Sequence, residues 1–255
     1  MPEQTIIKEI KSNVLFITLN RPDNFNALNN ALMAELHSAL EAFRDDDESR
    51  VAVITGAGKN FCTGADIKQF GDKEAQTPEA IAKRADTSMK VHLLFSQIAK
   101  PIIVSVRGYA LAGGCGIAMA GDLVVASENA VFGYPEIKRG FVPSLVLVNL
   151  AKIIGRRIAL EMLMTGERLS AEKALQYGMV NYVVPDERLE EKTMELAEKL
   201  ASYSTSALAN IKKQFYDSLE MSLEDGLLCA REGNIAMRQS KDFATGVKNF
   251  KKGGK

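Results

Sequence analysis

The sequence has few of the residues from which metal sites and disulfide frameworks are built. It contains two histidines and three cysteines, and the cysteines (Cys62, Cys115 and Cys229) lie far apart without C-x-x-C spacing. Neither a zinc site nor a disulfide framework is indicated by this pattern. An odd, scattered set of cysteines is typical of a reducing compartment, so we predict a cytoplasmic protein without a metal.

An excess of one charge and long apolar segments are also missing. The chain has 32 Lys plus Arg and 32 Asp plus Glu, so no net charge draws it to nucleic acid or to an anionic membrane. No apolar run reaches the roughly 18 residues of a transmembrane helix, and the N-terminal MPEQTIIKEI lacks the apolar core of a signal peptide. We therefore expect a small-molecule partner, with no nucleic acid and no membrane.

The arrangements typical of a nucleophilic hydrolase are absent as well. The sequence has no G-x-S-x-G elbow and no Ser-His-Asp order. His37 and His92 both lie in predicted helices at the edge of an apolar face, so neither is predicted to be catalytic. A hydrolase that works through a triad is therefore disfavoured.

The apolar pattern predicts an α/β core that is followed by a helical part. Alternating residues at 5–10 and 13–19 predict a hairpin that turns at Ser12 and Asn13. Leucines at i, i+4 spacing predict a helix from Asn29 to about Arg44. Buried strands (51–55, 101–106, 122–126) are predicted to alternate with helices (79–97, 113–121), and 66–80 to form a loop; after Pro143 the chain is predicted helical except at 180–184.

Two glycine-bearing segments each follow a predicted buried strand, GAGKNFCTGADIK at 56–68 and RGYALAGGCG at 107–116. A chain that turns sharply from a strand into a helix leaves backbone N–H groups without intrahelical partners. Such groups suit a developing oxyanion. The first segment is not a nucleotide loop, because Phe61 replaces the third glycine and no Ser or Thr follows Lys59. From the residues alone, a structural turn and tight helix packing remain alternatives.

Carboxylates near these segments are the candidates for proton transfer. Glu136 lies in VFGYPEIKRG, twenty residues beyond the second segment, where Pro135 favours the start of a helical segment. A carboxylate at a helix start is more often structural than catalytic. Asp66 is similarly predicted to cap a helix, and Asp122 to accept hydrogen bonds from backbone N–H groups.

Taken together, FCTGADIK, VRGYALAGGCGIAMAGD and VFGYPEIKRGFVPS resemble the crotonase superfamily of enoyl-CoA hydratases and isomerases. LNRPDNFNAL and LMTGERLSAEKALQYGMVNYVVP extend the resemblance over nearly the whole chain. It implies an α/β fold in which a spiral of ββα units (1–195) precedes a helical oligomerisation region (196–255). It also implies acyl-CoA thioester substrates, no cofactor beyond the coenzyme A of the substrate, and a homotrimer or a dimer of trimers.

The resemblance also implies roles for individual residues. The backbone N–H groups of Ala65 and Gly113 correspond to the oxyanion donors, and Glu136 to the general acid and base. The CoA moiety would lie along the backbone at 26–27 and 65–67. The substrate-binding residues implied in this way are Asn26, Ala27, Asp66, Ile67, Phe70, Gly114, Gly116, Tyr134 and Phe141, with Val142 beside the acyl chain.

Two positions depart from the family pattern. Well-studied hydratases carry a further glutamate where this chain has Gly116, whereas Δ3,Δ2-enoyl-CoA isomerases and some hydratases of branched or carboxylated substrates lack it. We predict an enoyl-CoA hydratase, with an isomerase or a non-catalytic CoA-thioester-binding protein as alternatives. Glycine at 116 has two interpretations: the enzyme works with a single carboxylate, or the glycine leaves room for a bulky acyl group. At the C-terminus Gly253 replaces a phosphate-binding lysine, which leaves Lys252 and Lys255 as candidates.

Overall fold

The structure, a computed structural model, describes residues 4–71 and 76–253, with side chains described at 4–69 and 76–248. Within these ranges the strands are β1 (Ile6–Lys11), β2 (Val14–Leu19), β3 (Val51–Gly56), β4 (Ile102–Val106), β5 (Tyr109–Leu111), β6 (Leu123–Ser127), β7 (Val131–Gly133), β8 (Arg168–Ser170) and β9 (Tyr182–Val184). The helices are α1 (Asn30–Asp45), α2 (Pro78–Gln97), α3 (Gly113–Ala120), α4 (Leu147–Ile153), α5 (Arg156–Thr165), α6 (Ala171–Gln176), α7 (Leu189–Ala201), α8 (Thr205–Ser218), α9 (Leu223–Arg238) and α10 (Lys241–Gly253).

The larger sheet has the strand order β1-β2-β3-β4-β6-β9. Its first pair is the predicted antiparallel hairpin, and the positive φ angles of Ser12 (50°) and Asn13 (61°) make the tight turn. The remaining strands pair in parallel. All five residues of β4 are buried, as expected for a parallel strand that is covered on both faces.

A second, smaller sheet has the order β5-β7-β8 and was missed by sequence analysis. Each of its strands is only three residues long, too short to show an alternating pattern. The prediction that the chain after Pro143 is helical except at 180–184 is therefore wrong at β8. The predicted loop at 66–80 is also partly wrong, because Ile67–Gly71 forms a 3-10 helix and α2 begins at Pro78.

The C-terminal helices contact the sheet in two different ways. α7 packs its buried face, with Leu189 and Leu196, against the larger sheet. The proposed boundary at residue 195 falls inside this helix, and the division into two domains stays a prediction. α8 is joined to the core by Lys212 Nζ, 2.6 Å from Asp122 Oδ2, and by Tyr216, which donates to Asp122 Oδ1 at 3.1 Å.

Asp122 also accepts a hydrogen bond from Ile102 N at 2.7 Å, which confirms its predicted role with backbone donors. Apolar side chains on the outer faces of α8 and α9 are well exposed, Leu223 by 82% and Ile211 by 66%. Within the described residues, no helix combines the length and the apolar character that crossing a membrane requires.

Candidate active site

The two glycine-bearing segments lie against each other at the N-terminus of α3. A β-carbon placed on Gly113 would lie 3.8 Å from Cα of Gly64 and 4.0 Å from N of Ala65. Gly64 has φ +92°, and a β-carbon there would come within 2.5 Å of Cβ of Ala112. This close approach requires glycine at 64, because any side chain would push the segments apart.

The backbone N–H groups of Ala65 and Gly113 donate no hydrogen bond within the described part of the chain. On either side of Ala65 the backbone is paired with Leu28, whose N donates to Gly64 O at 2.8 Å and whose O accepts from Asp66 N at 3.0 Å. Gly113 is the first residue of α3 and therefore has no intrahelical acceptor. Two neighbouring unpaired donors of this kind can stabilise an oxygen that gains negative charge.

The backbone that leads into α3 is closely packed and strained. Ala112, which precedes the helix, has φ 51° and ψ −125°, a conformation that costs energy for a residue with a side chain. Its N–H is held by Gly133 O at 2.8 Å, which ties the entry to β7. A β-carbon on Gly114 would lie 2.2 Å from Cys62 O, so this glycine serves the contact between the segments.

Glu136 lies in the 3-10 helix Pro135–Arg139, which directly follows β7. Its side chain is half-buried, and Oε2 is buried without a hydrogen-bond partner among the described residues. Burial raises the pKa of this carboxyl, and a hydrogen bond from its own backbone N–H and the neighbouring Arg139 oppose the rise only in part. A carboxyl group whose pKa is raised holds its proton more readily than a free one, which suits a group that must both take up and release a proton.

The predicted acyl wall is divided between the core and the surface. Tyr134 is fully buried, whereas Phe141 is 64% and Val142 56% exposed. The Tyr134 hydroxyl lies beside the Cys115 thiol in the core, and burial raises the pKa of that thiol to about 12. The side chain of Phe70 lies outside the described residues. Contact of these residues with an acyl chain stays a prediction.

The residues predicted to line the CoA moiety have very different surroundings. Asn26 is completely buried, and its amide donates to Ala57 O at 2.9 Å and to Asn60 O at 2.8 Å. Its backbone N–H also donates, to Arg21 O at 2.9 Å, so Asn26 is bonded within the protein throughout. Ala27 is also buried, whereas Ile67 is 63% exposed.

Both carboxylate oxygens of Asp66 are bonded within the protein. Its Oδ1 accepts from Lys68 N at 3.1 Å, the predicted cap of a helical turn, and Oδ2 pairs with Arg21 Nη2 at 2.9 Å. These contacts place Asp66 in a supporting position behind the backbone that carries the Ala65 N–H.

The space next to Gly116 is filled rather than open. A β-carbon on this glycine would lie 2.2 Å from Cγ1 and 2.5 Å from Cβ of Val146. The interpretation that Gly116 makes room for a bulky acyl group is therefore wrong for the direction in which its side chain would point. Val146, the residue before α4, occupies that place.

Sequence analysis missed one polar side chain at this position, His92. Its Cε1 would lie 3.4 Å from a β-carbon on Gly116, and its Nδ1 is 3.3 Å from Nδ2 of Asn149. In the sequence His92 is a histidine at the edge of an apolar helix face. That pattern does not show that α2 packs against α3 at this residue. His37 instead pairs with Glu41 on the outer side of α1.

No group of three or more His, Cys, Asp or Glu side chains that could hold a metal occurs among the described residues. The candidate phosphate ligands Lys252 and Lys255 have side chains outside the described part of the chain. The chemistry that this site offers is hence proton transfer beside a pair of backbone donors.

A protein-family model for enoyl-CoA hydratase/isomerase matches residues 9–255. The chain belongs to this family. A probable mitochondrial enoyl-CoA hydratase of Dictyostelium discoideum is 41% identical over 88% of this chain and 79% of its own. The 2,3-dehydroadipyl-CoA hydratase of Escherichia coli K12 is 36% identical over 96% of this chain and 94% of its own.

The solved structures agree with this assignment. An enoyl-CoA hydratase of Mycobacterium smegmatis superimposes with a TM-score of 0.93, at 31% identity over 98% of this chain and 97% of that one. The predicted crotonase-type fold with its helical C-terminal region is confirmed. Membership in the family implies an acyl-CoA substrate, and the named hydratases favour hydration over isomerisation.

Proposed function

We propose that this protein is an enoyl-CoA hydratase that adds water across the Cα=Cβ bond of a 2-enoyl-CoA thioester with a single carboxylate. One observation carries the mechanism: the N–H groups of Ala65 and Gly113 are unpaired, and Glu136, whose Oε2 is buried without a hydrogen-bond partner among the described residues, follows the strand that holds the entry to α3 through Ala112. The N–H groups bind the thioester oxygen. Glu136 accepts a proton from water and returns it to the substrate.

The reaction follows from these positions. Water oxygen forms a bond to Cβ, one of its protons passes to Glu136, and the electrons of the double bond move towards the thioester oxygen. The two N–H donors stabilise the resulting enolate, and each donor is worth about 10²–10³ in rate. Glu136 then gives its proton to Cα, so that one molecule of water has been added and the carboxylate is restored.

The ligand would be held mainly by backbone. We propose that the CoA moiety lies along 26–27 and 65–67, and that coenzyme A enters only as part of the substrate, without a further cofactor. Asn26 and Asp66 are themselves buried and bonded within the protein, so their part is to support this stretch of backbone, while the exposed Ile67 and the unpaired Ala65 N–H lie beside them. Lys252 and Lys255 stay candidates for its phosphates.

We further propose a homotrimer, or a dimer of trimers, in the cytoplasm. Exposed apolar residues on α8 and α9 support burial of these helices against other copies, among them Ile211, Phe215, Leu223, Leu227 and Leu228. The free thiols of Cys62, Cys115 and Cys229 suit a reducing compartment.

The test is a panel of acyl-CoA thioesters with mass spectrometric detection. It includes crotonyl-CoA, a 3-enoyl-CoA and 2,3-dehydroadipyl-CoA, because a relative is named for the last of these. A product heavier by one water supports the proposal. An isobaric product from the 3-enoyl-CoA alone would make the protein an isomerase, and tight binding of all thioesters without turnover would make it a binding protein.

A further inference from the structure

His92 lies where the site has no second carboxylate. Its ring contacts the position from which a side chain of residue 116 would emerge, with Cε1 3.4 Å from that β-carbon. Gly116 is one helical turn beyond the donor Gly113, within α3. The imidazole therefore lies beside the same helix start that presents the oxyanion donor.

Asn149 determines which nitrogen of the His92 ring carries the proton. Its amide Nδ2 is 3.3 Å from Nδ1 of His92, and because an amide N–H can only donate, Nδ1 accepts. The ring proton is consequently on Nε2. Within the described residues Nε2 has no hydrogen-bond partner, so one N–H donor of the ring is left for another molecule.

We propose that His92 positions the attacking water by donating a hydrogen bond from Nε2 to the water oxygen. This rests on the proposed function, since it assigns the partner of Glu136 in that hydration. Water oxygen keeps a lone pair for Cβ, while Glu136 accepts one of its protons. His92 gains and loses no proton in the step, so the balance of the reaction is unchanged.

The surroundings of the ring fit a neutral donor. Burial lowers the pKa of His92 to about 4, so the imidazole carries no charge at neutral pH. A neutral N–H donor orients water without competing with Glu136 for the proton. A charged imidazolium would instead stabilise the ionised form of a nearby carboxylate and weaken it as a base.

A purely structural role is the alternative, because His92 and Val146 together fill the space beside Gly116. The two roles differ in what they affect. Loss of packing would impair every reaction of the site, whereas loss of the water donor would impair only the step that consumes water.

The experiment compares His92→Phe with His37→Phe, a matched control on the outer side of α1. Two rates are measured for each purified protein: hydration of the best 2-enoyl-CoA of the panel, and exchange of the α-proton of a saturated acyl-CoA in D2O. Exchange needs Glu136 and the oxyanion donors but adds no water to the substrate. We expect His92→Phe to lose about 10²-fold in hydration with exchange within about threefold of the native rate, since misplacing a reactant costs about this much.

Two further variants separate the donor from the shape of the ring. His92→Gln keeps an N–H donor, and we expect it to recover at least part of the hydration that His92→Phe loses. Asn149→Leu removes the hydrogen bond that holds the proton on Nε2, so it should lower hydration without lowering exchange.

The outcomes are distinct. Equal losses of hydration and exchange in His92→Phe, or full hydration in that variant, would overturn the role of His92 while leaving the hydratase assignment intact. A native protein that hydrates none of the thioesters would overturn both.

Discussion

Arg21 and Asp66 form a buried ion pair behind the oxyanion donor Ala65, with Nη2 2.9 Å from Oδ2 and the two side chains only 10% and 8% exposed. Arg21 Nη1 also donates to Ala27 O. One guanidinium therefore holds the chain that leaves β2 against the residue that follows Ala65. The position of the Ala65 N–H depends on this contact.

Asp66→Asn should destabilise the protein by about 3–5 kcal/mol, because it leaves the buried guanidinium of Arg21 without its counter-charge. Turnover should fall as well, since the backbone at Ala65 is released. Chemical denaturation and steady-state kinetics measure the two effects. The matched control is Glu167→Gln, which breaks the exposed pair with Lys138 (2.7 Å) and should leave the stability nearly unchanged, because solvent screens that pair. Equal stability losses in the two variants would contradict the importance assigned to the buried pair.

Glu136→Gln should reduce hydration by about 10² or more while the affinity for CoA thioesters stays nearly constant, because it removes proton transfer and preserves shape. If the variant hydrates at the native rate, the base has been assigned wrongly.

The stability of the same variant should depend on pH in a defined direction. The pKa of Glu136 is raised in the folded state by burial, so the folded protein favours the protonated carboxyl. Its contribution is then fully present at low pH and is lost as the pH rises through the folded pKa. Glutamine resembles the protonated form. Thermal unfolding should therefore show Glu136→Gln equal to the native protein in acid and more stable at neutral pH; the reverse trend would mean that the carboxylate is stabilised in the fold.

Gly113→Pro should abolish one oxyanion donor and lower turnover by about 10²–10³. Proline is tolerated at the first position of a helix, so α3 should remain. Gly113→Ala is the control, because it adds a β-carbon near the same atom, Leu28 Cδ1 at 2.9 Å, and keeps the N–H. Kinetics on both variants, with circular dichroism to verify folding, test the donor. Similar losses in the two variants would attribute the effect to crowding at Leu28.

Gly116→Ala should destabilise the protein, since its β-carbon would lie 2.2 Å from Cγ1 of Val146. Val146→Gly removes both obstructing atoms, Cγ1 and Cβ, and we expect the double variant to be more stable than the sum of the two single effects predicts. Chemical denaturation of all four proteins completes the cycle. Strict additivity would show that the two residues do not compete for this space.

The same contact predicts the behaviour of Gly116→Glu. Alone it should fold poorly, and only in combination with Val146→Gly, which removes both Cβ and Cγ1 of Val146, should a second carboxylate be accommodated beside His92; chemical denaturation of the single and the double variant measures the difference.

Much of this protein follows from short-range patterns in the chain. The hairpin at Ser12 and Asn13, helix α1 and the parallel strands β3, β4 and β6 were predicted because their side-chain periodicity and turn residues act over a few neighbours. The family motifs with Gly113 and Glu136 are likewise continuous segments. Each can be recognised without knowledge of what packs against it.

Tertiary structure decided what lies next to Gly116. The sequence determined that residue 116 carries no carboxylate, but whether the place was open, filled or supplied with another polar group depended on how α2 and α4 cross α3. Val146 and His92 are 30 and 24 residues away along the chain, and no local pattern connects them to this glycine. The strands β5, β7 and β8 could not be predicted for the same reason. Each has three residues, too few to show an alternating pattern, and each forms because it pairs with another strand that is distant in the sequence.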